Sequence, residues 1–285
     1  MNVEVVLLLY NRPDHALAVL DSLVQNGVQR VRAFMDHSDD PAVRRGQDRH
    51  VLELERRTKI SVDLHRHPQR LGLAQSMRFA LQATFEKADA AIVLEDDCVV
   101  RPGGIQFFLD GLSSLEHDRR VRSLCGYLHP IPFIRGDAEP LLLRRFCTWG
   151  WATWKDRWRD YDPNLERVVG RLVRKNLKLS DLSSDLVTLC TSPAYLEGSV
   201  DIWSVNWILE HYVTGTFCVY PCDSLIDNIG FDGSGRNCEP TSEFATLDRA
   251  LQRSWNFRQL FHCVENEDLI DSFMSQHGLK TYPKK

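Results

Sequence analysis

The sequence predicts an α/β fold in which a mostly parallel, Rossmann-like central sheet is flanked by helices. A single domain with an elaborated carboxy-terminal half carries it. Three observations point there. Short β-branched apolar runs alternate with amphipathic helical stretches through the first hundred residues, as in a doubly wound sheet. One of those runs, Ala91 to Leu94, ends abruptly in Glu95-Asp96-Asp97, a pattern suited to the ligand edge of such a sheet. No repeat or low-complexity linker divides the 285 residues.

The elements follow in order. Val3 to Leu9 reads as a central strand closed by Tyr10-Asn11-Arg12-Pro13, and Pro13 suits the first turn of a helix. Ala16, Leu17, Val19, Leu20, Leu23 and Val24 give that helix its apolar face, and Asn26-Gly27 stops it. Val31 to Met35 is a second strand, ending in Asp36-His37-Ser38-Asp39-Asp40. A helix over residues 41–58, a strand over residues 60–64, a loop over residues 65–72 and a helix over residues 73–88 lead to the strand before Glu95. Right-handed crossovers put the carboxyl ends of these strands on one edge of the sheet. Asn11, Asp36, Arg70 and Glu95 to Asp97 therefore converge despite their sequence separation.

Beyond Gly103 the sequence predicts a helix to about Glu116 and a strand over residues 121–127. A Pro- and Gly-rich loop region spans residues 130–140. The segment Arg145 to Tyr161 holds four of the seven tryptophans, and residues 165–189 read as one helix. A strand over residues 217–220 precedes a polar loop, and a capping helix with a tail ends the chain. The organisation is one domain in two halves, residues 1–104 for the ligand edge and residues 105–285 for what completes it.

Composition narrows the function. A net charge of −4 excludes the pervasive basic surface of a general nucleic-acid binder. The eight scattered cysteines lack paired zinc-ligand spacing and read as reduced core residues of a cytoplasmic protein. The chain opens at once on a strand, without a signal-like stretch, and no run approaches the ~18 apolar residues of a membrane span. Arg171, Arg174, Lys175 and Lys178 around apolar residues leave peripheral membrane contact open.

Glu95, Asp96 and Asp97 carry the chemistry. Three adjacent carboxylates at the mouth of a buried strand repel one another and call for a cation, and hard oxygen ligands suit Mn²⁺ or Mg²⁺. A solvated acidic turn is the plain alternative. The buried strand before the triplet and the Pro102-Gly103 turn after it favour the site.

The chain resembles nucleotide-sugar glycosyltransferases of the GT-A fold, near the broad family-2 type, and also N-acetylglucosaminyltransferase-I-like enzymes, whose metal motif is also E-D-D. The matching stretches are Y-N-R-P (Tyr10 to Pro13), R-L-G-L-A-Q-S (Arg70 to Ser76), V-L-E-D-D (Val93 to Asp97) and W-G-W-A-T-W (Trp149 to Trp154). The last, with D-I-W-S-V-N-W (Asp201 to Trp207) and N-I-G-F (Asn228 to Phe231), is similar to bacterial transferases of surface-glycan assembly. Together the matches cover about residues 3–235.

The resemblance implies a role for each residue. Asn11 and Arg12 would border the base and ribose of the donor, and Asp36 would accept hydrogen bonds from either. Arg70 and the backbone around Gly72 would approach the base and phosphates. Asp97 would bind Mn²⁺ or Mg²⁺, Asp96 would sit near the ribose or sugar, and Glu95 would lie behind them. At least one of Trp149 and Trp151, flanking Gly150, would line the donor-sugar or acceptor pocket, the alternative being core packing. Asp201 would take the proton from the acceptor hydroxyl, unless it only caps a helix, with Glu197, Asp223 and Glu210 in reserve. The late loop lacks the histidine that the family often supplies as a further metal ligand. Asp232 or Asn237 could replace it, and Arg236 is free to hold a phosphate. The donor would be a nucleotide sugar, with UDP favoured, and the acceptor a glycan or lipid-linked glycan at the inner face of a membrane. The oligomeric state stays open. A nucleotidyltransferase would need a Gly-rich basic loop after the first strand, where this chain has Asn11-Arg12-Pro13-Asp14. A sugar- or nucleotide-binding module with a decayed active site stays open beside the enzyme, as does a transferase that retains the anomeric configuration.

Overall fold

The computed structural model describes residues 1–57, 59–134, 140–178, 181–193, 203–234, 240–246 and 254–277. Asp201 and Arg236 lie outside the described residues, as do Glu197 and Asn237.

The amino-terminal half alternates as its apolar pattern predicts. The strands are β1 (Val3–Leu9), β2 (Arg30–Met35), β3 (Ser61–Arg66) and β4 (Ala90–Glu95), separated by α1 (Pro13–Gln25), α2 (Pro41–Arg57) and α3 (Leu73–Phe85). Then follow β5 (Cys98–Val100), α4 (Gly104–Ser114), β6 (Val121–Cys125), β7 (Leu141–Leu143), β8 (Trp151–Trp154) and α5 (Lys155–Trp158). The chain continues through α6 (Leu165–Arg174), α7 (Ser184–Thr191), α8 (Ser204–Thr214), β9 (Phe217–Tyr220), β10 (Ile226–Asn228), β11 (Phe261–His262) and α9 (Val264–His277).

The described strands build a nine-stranded sheet in the order β11-β7-β9-β6-β8-β4-β1-β2-β3, and β5 pairs separately with β10. The run β4-β1-β2-β3 is wholly parallel, while β8 enters antiparallel between β4 and β6. The fold is thus mixed α/β with a mainly parallel central sheet flanked by helices. Val6, Leu7, Val93 and Leu94 are fully buried, which accounts for their apolar, non-alternating sequence. Burying each such side chain contributes about 1.5–3 kcal/mol.

The second half departs from the sequence reading in three ways. Residues 165–189 form α6 and α7 rather than one helix, because the chain turns at Asn176, which adopts a left-handed φ of 57°. The strands β5, β7 and β10 are each three residues long, too short to show a period. The basic stretch is partly consumed inside the fold: Arg171 pairs with the buried Glu210 of α8. Among the described residues no helix is long and apolar enough to cross a membrane.

Candidate active site

The exits of β1, β2 and β4 meet at one edge of the sheet. Leu8 is in register with Glu95, and Leu9 with Met35. Gln47 of α2 ties two exits together by donating to the carbonyl oxygens of Tyr10 and Asp36 at 2.8 and 2.7 Å.

Arg12 begins the site. It precedes Pro13 at the start of α1 and makes no capping bond with its side chain. Its guanidinium instead reaches across to the turn after β4, where Nη2 donates to Oδ1 of Asp96 and, at 2.8 Å, to Oδ2 of Asp97. Burial works against this charge, but the two carboxylates outweigh it and raise the Arg12 pKa above its ordinary value. Burial also pushes the Asp96 carboxyl up, with Asp97 adding to the effect and Arg12 opposing it. Glu95 is pushed up to about 8, first by burial and then by the charges of Asp97 and Asp96, so it is largely protonated at neutral pH. One guanidinium thus compensates two carboxylates while the third stays neutral.

Cys98 is buried, and its Sγ lies 3.5 Å from Oδ1 of Asp97. Strand alternation does not apply there, because Asp96 and Asp97 form a turn between β4 and β5.

The lid of the site comes from far along the chain. β10 runs antiparallel to β5, pairing Asn228 with Cys98, and the N–H of Ile229 then donates to the carbonyl of Asp97 at 2.9 Å. This pairing lays Gly230 against the acidic turn. A Cβ at Gly230 would overlap Oδ2 of Asp97 and lie 2.8 Å from Nη1 of Arg12. His15 of α1 holds the same loop, with Nε2 3.3 Å from the carbonyl oxygen of Ile229 and 3.2 Å from Oδ2 of Asp232. Sequence reasoning names neither Gly230 nor His15. Gly230 stands inside the N-I-G-F motif, which is its one signal, whereas His15 carries none.

Asp36 is buried and occupied. Its carboxylate accepts from the N–H groups of His37, Leu71 and Gly72, each at 2.9 Å. Charge-assisted bonds of this kind contribute about 1.5–3 kcal/mol each. They fix the turn at residues 71–72, where Gly72 takes a φ of 79° before α3. Asp36 thereby shapes the loop that presents the exposed Arg70 at the same edge. Asn11 is also exposed there. His67 is buried, with Nε2 3.1 Å from Oγ of Ser76.

The tryptophans divide. Trp149 is partly exposed and packs edge-on against Tyr127, Phe231 and Phe244, with centroids 4.6, 5.2 and 5.3 Å away. Phe231 follows Gly230 directly, so this aromatic wall adjoins the acidic pair. Trp151 corrects the expectation of a pocket residue. It is fully buried among Phe146, Trp158, Trp203 and Trp207, because its position in β8 turns it into the core between the sheet and the later helices. Gly150 is buried too. It takes a φ of 67°, and its carbonyl accepts from the N–H of Gly126 at 2.7 Å. A Cβ there would lie 2.6 Å from Cγ1 of Ile226, so the glycine lets β10 come close to the sheet. Glu210 is a core residue bound to Arg171.

Hard carboxylate oxygens are the right donors for Mn²⁺ or Mg²⁺, and Asp97 is the residue that would hold it. The protein's share of such a site is small. Among the described residues no group of three or more His, Cys, Asp or Glu is arranged to hold a metal ion. A separate cleft of about 340 Å³, lined by Asp89, Trp154, Arg157 and neighbours, lies at the opposite, amino end of β4. Its charges are spent on one another, as in the Arg119–Asp156 and Arg157–Asp156 pairs.

No protein-family model matches the chain, and no curated protein matches it. Similar solved structures include a mannosyltransferase, PcManGT from Pyrobaculum calidifontis, in complex with GDP-Man and Mn²⁺. It is 14% identical over 66% of this chain and 51% of that one, with a TM-score of 0.38. Residues 1–349 of TarS from S. aureus align with 9% identity over 79% of this chain and 60% of that one, with a TM-score of 0.45. A protein from Desulfovibrio desulfuricans G20 described as a nucleotide-diphospho-sugar transferase aligns with 11% identity over 77% and 80%, with a TM-score of 0.40. The chain thus spans only 51% and 60% of the lengths of the first two.

Proposed function

We propose that the chain is a glycosyltransferase that moves a sugar from a nucleoside diphosphate, with a UDP-sugar favoured, to a hydroxyl of a glycan or lipid-linked glycan. The observation that carries the reading is the Asp96–Asp97 pair at the open end of β4, bridged by Arg12 and roofed by Gly230. Carboxylates and a guanidinium at the carboxyl edge of a parallel sheet suit a phosphate-bearing ligand and its counter-cation.

In this reading the exposed Arg70, the Gly72 turn held by Asp36, and Asn11 border the nucleotide. Asp97 is the metal ligand, Asp96 approaches the ribose or sugar, and Glu95 lies behind them. Bound Mn²⁺ or Mg²⁺ would neutralise charge that develops on the departing diphosphate. Trp149, with Phe231, offers an apolar face to a sugar ring. Asp201 takes the acceptor proton in an inverting transfer, and Arg236 holds a phosphate. In this reading the transfer takes place in the cytoplasm, at the inner face of a membrane when the acceptor is lipid-linked.

A thermal-shift panel of UDP, GDP, dTDP and CMP, each with and without Mn²⁺ or Mg²⁺, tests this. A ligand at ~100 times its dissociation constant adds about 2.7 kcal/mol of stability. The expected outcome is a metal-dependent rise in melting temperature for one nucleotide, lost in Asp97→Ala. A flat response to all four overturns the reading.

A further inference from the structure

Arg12 occupies the place where the acidic pair would otherwise need a cation from solution. Its Nη2 faces Oδ1 of Asp96 and Oδ2 of Asp97 together, and only 16% of its side chain is exposed. Adjacent carboxylates repel, and a cation between them relieves that repulsion. A guanidinium fills that role permanently, because it has no accessible neutral form. Gly230 shuts the other side, hard against Asp97 and Nη1 of Arg12, while Ile229 and His15 hold its loop in place. A second cation at these oxygens would meet the guanidinium's charge at hydrogen-bond distance.

We propose that Arg12 is a built-in counter-ion that keeps free divalent cations off Asp96 and Asp97 until a nucleoside diphosphate draws the guanidinium onto its phosphates. The hand-over rests on the donor reading above; the exclusion of free metal does not. Arg12 is suited to both states, since its planar fork matches carboxylate and phosphate oxygens alike. A diphosphate also brings more negative charge than the carboxylates it relieves. Metal and nucleotide therefore enter together rather than metal first, and Arg12 acts as a positioning residue for the donor.

Mn²⁺ binding to the full chain, followed by the electron paramagnetic resonance of the free ion, tests this without any activity measurement. Without nucleotide, the wild type is expected to bind Mn²⁺ no better than Asp97→Asn. Arg12→Gln is expected to bind it at least tenfold more tightly, a gain abolished by adding Asp97→Asn. Arg12→Lys, which keeps the charge, is expected to stay close to the wild type. Adding UDP or GDP to the wild type is expected to bring Mn²⁺ onto the protein. Wild-type protein that takes up Mn²⁺ as tightly as Arg12→Gln overturns the counter-ion, as does a folded Arg12→Gln with no gain. Should Arg12→Gln not fold, the wild type decides, since Mn²⁺ bound there tightly without nucleotide removes the proposal. A gain in Arg12→Gln with no effect of either nucleotide on the wild type overturns the hand-over and the donor reading, and leaves the exclusion standing.

Discussion

Gly230 and Asp97 are packed so closely that no side chain fits between them: a Cβ on the glycine would overlap Oδ2 of the aspartate. The glycine is needed for space and not for an unusual φ, since its φ lies outside the positive range. Asp97 cannot yield easily, because Arg12 grips the same oxygen at 2.8 Å.

Gly230→Ala is therefore expected to push the β10 loop off the acidic pair. Overpacking of this kind costs about 1–3 kcal/mol. Nucleotide-dependent stabilisation in a thermal-shift titration is expected to weaken at least tenfold. Gly46→Ala, inside α2 where an added Cβ meets nothing within 4 Å, is the control: it should raise stability by about 0.5–1 kcal/mol through helix propensity and leave the nucleotide-dependent stabilisation unchanged.

Trp149 and Trp151 stand two residues apart and should fail in opposite ways. Trp151→Ala empties a fully buried site and is expected to cost about 3–5 kcal/mol in urea denaturation. Trp149→Ala touches a partly exposed wall, so the fold should persist while sugar transfer falls, measured as kcat/KM.

Asp201→Asn tests the proposed base. The expected result is normal nucleotide binding with turnover lowered by roughly 10²–10⁴. An unchanged rate in a steady-state transfer assay assigns the proton to another residue.

The ion pair of Arg145 and Asp185 is buried on both sides, with exposures of 3% and 0%. Ser183 donates to Oδ1 of Asp185 at 2.6 Å, and Asp271 lies 3.7 Å from Nη1 of the same arginine. Asp185→Ala removes the main partner of a buried cation and is expected to cost about 3–5 kcal/mol, measured by denaturant unfolding.

His211 sets a pH dependence of stability. It is fully buried, and its Nδ1–H donates to the carbonyl of Trp207 at 2.8 Å, which leaves Nε2 to accept from Ser123 and Cys218. Burial first, and the nearby Arg122 charge second, push its pKa down to about 3. A folded pKa below the unfolded one gives stability that is present above about pH 6.5 and lost as pH falls towards 3. Between pH 7 and pH 5 the loss is about 2 kcal/mol at this residue. The stability gap between wild type and His211→Gln in urea should narrow by that amount. The comparison removes contributions common to both proteins, such as those of Glu267 and Asp271, whose raised pKa values act in the opposite direction.

The parallel β1-to-β4 half was legible because each of its strands is long enough, and buried enough, to write an apolar run. The convergence of Asn11, Asp36 and Asp97 followed from that alone, since parallel strands share one carboxyl edge. The acid triplet announced itself as a place where like charges need a partner.

The partner itself was a matter of tertiary structure. Nothing in Tyr10-Asn11-Arg12-Pro13 says that this arginine turns to Asp96 and Asp97, for a side chain's ion pair depends on what lies across the fold. The same holds for Asp36, whose carboxylate is spent on Leu71 and Gly72, residues thirty-five and thirty-six positions away. Trp149 and Trp151 look alike in sequence, and only the placement of β8 in the sheet sends one to the site's wall and the other to the core. Gly230 reaches Asp97 through the pairing of β5 with β10, two three-residue strands whose pattern is too short to read. The chain's local periods thus determined the scaffold and the acidic edge. Long-range pairing, which no local pattern encodes, decided what closes over that edge and which cation holds it.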